Sequence, residues 1–158
     1  MDGKIEMLRH TLATLAYRGG KALRGAPADF ANFRCAESTR TPGEILAHIG
    51  DLFDWGVALA DGVHRWEPKP PLDWESGTAR FFAGLEALDR RLASAAPLGV
   101  PPEQLFQGPV ADALTHVGQI AMLRRMAGAA VKGENYFKAA IAAGSVGAEQ
   151  PPPRVEFD

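Results

Sequence analysis

Apolar residues recur along this chain at steps of three and four, the spacing that lines up side chains on one face of an α-helix. Ile5, Leu8, Leu12 and Leu15 give the first such seam, in a helix predicted from Asp2 to about Leu23. Gly19-Gly20 is expected to weaken its last turns, because glycine is a poor helix former. The second helix carries the clearest start signal: Thr41 as N-cap, Pro42 at the first helical position and Glu44 completing a capping box. It is predicted to reach about Asp61, with Gly62 just past its end. Asp73 then caps a third helix whose apolar positions are Trp74, Phe81, Leu85, Leu88 and Leu92. A fourth helix is expected from near Pro109 to about Ala129, and a short final one over residues 135–143.

Loops separate these segments. Residues 25–40 mix Pro, Asp, Asn and Ser around Phe30 and Phe33, a long connection pinned by two aromatics. A second loop carries His64, Trp66, Pro68, Pro70 and Pro71. Residues 95–108 hold Pro97, Pro101 and Pro102 and read as a third loop with one short turn over residues 102–106. The stretch from Gln150 to Pro153 cannot continue a helix and reads as extended. Neither an internal repeat nor a strand-length alternation is present. The expectation is an all-α protein, an antiparallel four-helix bundle with a short additional C-terminal helix. One domain covers residues 1–149, and an extended Pro-rich tail covers residues 150–158.

Composition narrows the function classes. Hydrophobic residues make up 46% and charged ones 23%, as in an ordinary soluble domain. A net charge of −2, from 17 basic against 19 acidic residues, gives no electrostatic footprint for nucleic acid. The basic pairs Arg90-Arg91 and Arg124-Arg125 are too short to form a binding stripe. Cys35 is the only cysteine, which excludes an intrachain disulfide and fits a reducing, cytoplasmic setting. No signal peptide and no membrane-spanning run is recognisable.

Chemistry concentrates in three residues. His48 falls between Ile45 and Leu52 on the apolar stripe of the second helix. Asp112 and His116 stand four apart on the fourth, one above the other on a single face. Two imidazoles and a carboxylate meeting inside a helical protein make an open divalent-metal site. Without a metal, each residue has a plainer role: core histidines, and an aspartate favouring a helix N-terminus. Gln119, near His116, is placed either to orient a ligand or bound water or to make a surface or interhelical polar contact, and Asp51 either accepts from the His48 ring or, as the simpler reading, belongs to a solvated face. His10 and His64 lie outside the pattern, Tyr136 reads as an anchor for the last short helix, and Cys35 has no adjacent base to activate it. No dinucleotide-binding fingerprint, Walker loop or nucleophile elbow is present.

The segment Thr41-Pro42-Gly43-Glu44-Ile45-Leu46-Ala47-His48-Ile49 resembles the second-helix signature of the DinB/YfiT-like proteins. Asp112-Ala113-Leu114-Thr115-His116-Val117-Gly118-Gln119-Ile120 resembles their later signature, a His-x-x-x-His step followed by Arg-Gly-Gln. The order and spacing of helices match over nearly the whole chain. The resemblance implies a four-helix bundle with one long crossover connection, a divalent metal held by three side chains near one end, and a homodimer. It makes His48 the first ligand and His116 the last. Asp112 stands where the family commonly has histidine, giving a two-His, one-carboxylate set suited to Ni, Zn, Fe or Mn. Val117 stands where it commonly has arginine.

The activities implied are thiol-dependent transfer or isomerisation, with glutathione, mycothiol or bacillithiol as the thiol, or related hydrolytic chemistry. The partners are then a small-molecule thiol or a small electrophile, with no nucleic acid and no membrane. The two departures motivate an alternative: a non-catalytic dimeric bundle with a weak or degenerate metal site, acting as a binding or structural protein.

Overall fold

Each of the first three helices opens on a side chain that satisfies backbone N–H groups left bare at a helix start. In this computed structural model, which describes residues 2–157, Asp2 accepts from the Lys4 N–H to begin α1 (Gly3–Leu23). Met1 and Asp158, the outermost residues of the expected domain and tail, lie outside the described residues. Thr41 and Glu44 form the expected capping box on α2 (Pro42–Ala60): the Glu44 N–H donates to Thr41 Oγ1 at 3.2 Å, and the Thr41 N–H donates to Glu44 Oε2 at 2.6 Å. Past its end, Gly62 takes φ +79°, where a side chain would be strained. Asp73 accepts from the Ser76 N–H at 2.9 Å and starts α3 (Trp74–Ala93).

The fourth helical segment begins earlier than expected. Residues 95–108 are not loop throughout. Helix α4 (Pro102–Leu105) passes through a π turn (Phe106–Val110) directly into α5 (Ala111–Met126). Pro109 explains the widened turn: it has no N–H to donate, and its ring crowds the carbonyl four residues back. The chain opens by one residue, so that the Ala111 N–H reaches the Phe106 carbonyl. Proline thus reshapes the helix here and does not begin it. Consequently Asp112 has helical backbone on both sides and does not sit at a free N-terminus.

The short final helix expected over residues 135–143 does not form. Only Tyr136–Lys138 makes a single 3-10 turn. On either side of it the chain serves a buried carboxylate. Gly133–Glu134 (β1) pairs antiparallel with Glu156–Phe157 (β2), Glu134 opposite Glu156. The Glu134 side chain is 0% exposed, so its oxygens require partners. Tyr17 Oη donates to one at 2.5 Å and Lys21 Nζ to the other at 2.8 Å. Burial, then the adjacent carboxylate, push the Tyr17 hydroxyl well above its usual pKa. Lys21 also donates to Glu156 at 2.8 Å, tying the extended tail back to α1.

The protein is mostly helical, and the described residues hold a single two-stranded ladder. Helix α2 packs against α3 and α5, and α1 packs against the same two. Leu12, Leu15, Ile49, Phe53, Phe81, Leu85, Leu88 and Ile120 fill the space between them. Phe30 pins the first connection as expected, buried edge-on to Trp74 with ring centroids 5.2 Å apart. Gly19 does not fray α1: the Phe81 ring of α3 lies where a Cβ would stand, so the missing side chain is what lets the two helices meet. No helix among the described residues is long and apolar enough to cross a membrane.

Candidate metal centre

Contact between α2 and α5 brings His48 against Asp112 and His116. His48 Nε2 lies 3.3 Å from Asp112 Oδ2, and His116 Nε2 lies 3.3 Å from Asp112 Oδ1. The two imidazoles stand edge to face, ring centroids 4.7 Å apart at 90°. Ligand atoms of all three residues lie within 4.8 Å of one another. Bonds of about 2.1 Å to a shared cation place adjacent donor atoms roughly 3.0–3.4 Å apart. The two 3.3 Å separations, each to a different oxygen of Asp112, fall in that range, the three ligand atoms together lie within 4.8 Å, and the donor set is one that intermediate divalent metals accept.

The hydrogen bonding also fits. His116 Nδ1 lies 2.8 Å from Gln119 Oε1, an acceptor that calls for the proton on Nδ1. Nε2 then carries a lone pair directed toward Asp112 and the site. This hydrogen bond fixes the orientation of the His116 ring. The three side chains are partly buried, at 22% exposed for His48, 13% for His116 and 46% for Asp112. The graded exposure leaves the cluster open on the carboxylate side.

Compared with protein-family models, curated proteins and solved structures, the chain gives no match in any of the three. The reading of the site therefore rests on its own geometry.

Asp51 is not a partner of His48. Its side chain is 4% exposed and accepts from Arg80 Nη2 at 2.8 Å and from the Lys69 backbone N–H at 3.1 Å. The Arg80 guanidinium lies over Gly50, so close that a Cβ there would stand 2.7 Å from its central carbon. Arg80 and Lys69 Nζ both donate to Asp54 as well. Burial alone would raise the Asp54 carboxyl; the hydrogen bonds from Lys69 and Arg80 outweigh it and hold the group below its usual range. This network straps the loop after α2 onto the helix. Trp66 from that loop then rests edge-on against His48, ring centroids 5.7 Å apart, and against Trp55 at 5.8 Å. His64 packs on Trp55 and stays exposed, and His10 is exposed on α1. Tyr136, anchoring no helix, meets Tyr17 edge-on and lies under the Arg18 guanidinium.

An open cavity of about 590 Å³ adjoins the cluster, with His48, His116 and Gln119 in its wall. Ile45, Met122, Leu123 and Met126 give it an apolar side, and Cys35, Thr39 and Arg40 come from the connection before α2. Sequence reasoning missed these last three, and Trp66, because loop residues carry no periodicity to report which way they face. Met122, Met126 and Gln119 had a usable signal, since steps of three and four from His116 run along one face of α5.

Proposed function

We propose that the protein is a DinB/YfiT-like four-helix bundle that binds one divalent ion through His48, Asp112 and His116. In this reading it catalyses a thiol-dependent transfer or isomerisation, or a related hydrolysis, as a cytoplasmic homodimer. The observation that carries it is the convergence of three donor side chains within 4.8 Å of one another, two of them, His48 and His116, in the wall of an apolar cavity. A bound divalent ion supplies Lewis acidity, lowering the pKa of a thiol or water and polarising a carbonyl. The chain's own residues do the rest. Gln119 accepts from His116 Nδ1 and keeps Nε2 turned to the site, Asp112 sets one carboxylate oxygen beside each imidazole, and Trp66 packs edge-on against His48. Three protein donors leave coordination positions for a substrate atom.

Metal content after loading with Ni(II), Zn(II), Fe(II) or Mn(II) tests the proposal. The wild type is expected to retain about one ion per chain, while His48→Ala, Asp112→Ala and His116→Ala each retain about a tenth or less. A wild type that holds none after loading sinks the reading. One observation favours a metal-free bundle instead: Asp112 already bridges both histidines with its two oxygens. That reading expects His116→Ala to lower the melting temperature while the wild type binds no metal.

A further inference from the structure

The cavity beside the candidate metal centre combines three features that together define a ligand. Its wall on α5 is formed by Met122, Leu123 and Met126, with Ile45 of α2 opposite. Met122 and Met126 are 65% and 51% exposed, large apolar side chains left facing the opening. Methionine is flexible and polarisable and adapts to apolar shapes of varied outline. Arg40, an exposed residue, also lines the cavity. Among the described residues it makes no hydrogen bond and no ion pair. Glu44, whose charge it feels, is already engaged by the Thr41 backbone and by Arg34 at 3.7 Å. Every other arginine that lines a described pocket has a carboxylate, carbonyl or aromatic ring against it: Arg18, Arg34 and Arg65. A cation without a partner, at the edge of an apolar wall that ends on two imidazoles, is complementary to an anion with an apolar body.

We propose that this cavity binds an amphiphilic monoanion of the medium-chain or aryl carboxylate class. Its carboxylate pairs with Arg40, and its apolar body lies along Met122, Leu123, Met126 and Ile45. The body then points toward His48 and His116, which is where the reacting atom of such a substrate would sit. The placement of that atom rests on the metal reading above; the anion and apolar subsites do not. At about 590 Å³ the cavity is large enough to admit a medium-chain or aryl body. Arginine suits the carboxylate because its planar fork matches the two oxygens.

Cys35, the only cysteine, lines the same cavity and reports its occupancy. The test follows alkylation of Cys35 by iodoacetamide, read by mass spectrometry, in the presence of octanoate or 1-octanol. Octanoate is expected to protect Cys35, with a half-protecting concentration about tenfold lower than that of 1-octanol. Arg40→Gln, an exposed change, removes that tenfold advantage and leaves octanol unaffected, while Arg90→Gln changes neither. Met126→Glu weakens both ligands. Equal protection by the two ligands, unchanged protection in Arg40→Gln, or no protection by either overturns the proposal. Metal content measured on the same samples separates the two readings. Protection without retained metal supports the cavity's ligand class and overturns the metal chemistry; retained metal without protection does the reverse.

Discussion

Gln119 hydrogen-bonds the His116 ring. Its Oε1 accepts from Nδ1 at 2.8 Å and leaves Nε2 free to face Asp112. Gln119→Leu is expected to lower metal affinity about tenfold without loss of thermal stability, since the side chain is exposed. Competition with a metallochromic chelator, alongside a melting curve, measures both; unchanged affinity would show that the tautomer is set elsewhere. Asp51 teaches the converse. Three residues from His48, its Oδ1 accepts instead from Arg80 of α3 and from the Lys69 backbone N–H. Val117 is 6% exposed and packs into the core, so an arginine at that position would have to leave the site or disrupt the packing.

At the scale of elements, one irregular turn bears on the site and one close helix contact on the core. The π turn at Phe106–Val110 rotates α5 relative to α4, and the register that follows sets Asp112 and His116 toward α2. On the other side of the molecule, α1 meets α3 over Gly19, where the Phe81 ring occupies the space of a Cβ. Gly19→Ala gains helix propensity of about 1 kcal/mol but must displace a buried aromatic ring, at a cost of about 1–3 kcal/mol. Net destabilisation is expected in urea denaturation, against stabilisation for the same change at Gly118, whose Cβ position is open. A more stable Gly19→Ala variant would mean that α1 and α3 are not in close contact.

Over the whole molecule, ion pairs hold the irregular segments to the helices. Lys21 joins the tail to α1 through Glu156, and Asp54 joins the loop after α2 through Lys69. Glu156 is held below the usual carboxylate range by its hydrogen bond from Lys21, Glu44 by the Thr41 backbone N–H, and Asp54 by Lys69 and Arg80 against the opposing effect of burial. A carboxyl with a depressed folded pKa contributes stability that is complete above its unfolded value. That stability is lost as pH falls through the folded value. With ordinary values of 3.8 for Asp and 4.5 for Glu, the losses begin below about pH 4.5. The melting temperature of the metal-free protein is therefore expected to fall steeply between about pH 4.5 and pH 2.5, with the tail and loop loosening first in hydrogen exchange. Constancy across that window would show that these pairs contribute nothing to the fold.

The sequence by itself determined what depends on neighbours along the chain. Caps at Thr41 and Asp73 and the three-and-four spacing that includes Leu12, Leu52 and Leu85 are local signals, and the helices begin and bury their faces accordingly. Asp112 and His116 share a helix, so their meeting was legible from a step of four. What pairs residues far apart in sequence was decided only in three dimensions. Asp51 is taken by Arg80 of α3, a pairing across twenty-nine residues that no step along α2 reveals. Whether Pro109 starts a helix or widens one depends on the packing around it. Residues 135–143 gave a helix-like pattern that lost to the pairing of buried Glu134 with Tyr17 and Lys21, more than a hundred residues earlier in the chain. Cys35, Arg40 and Trp66 reach the site from loops, whose directions are fixed by what they pack against and by no period in the sequence.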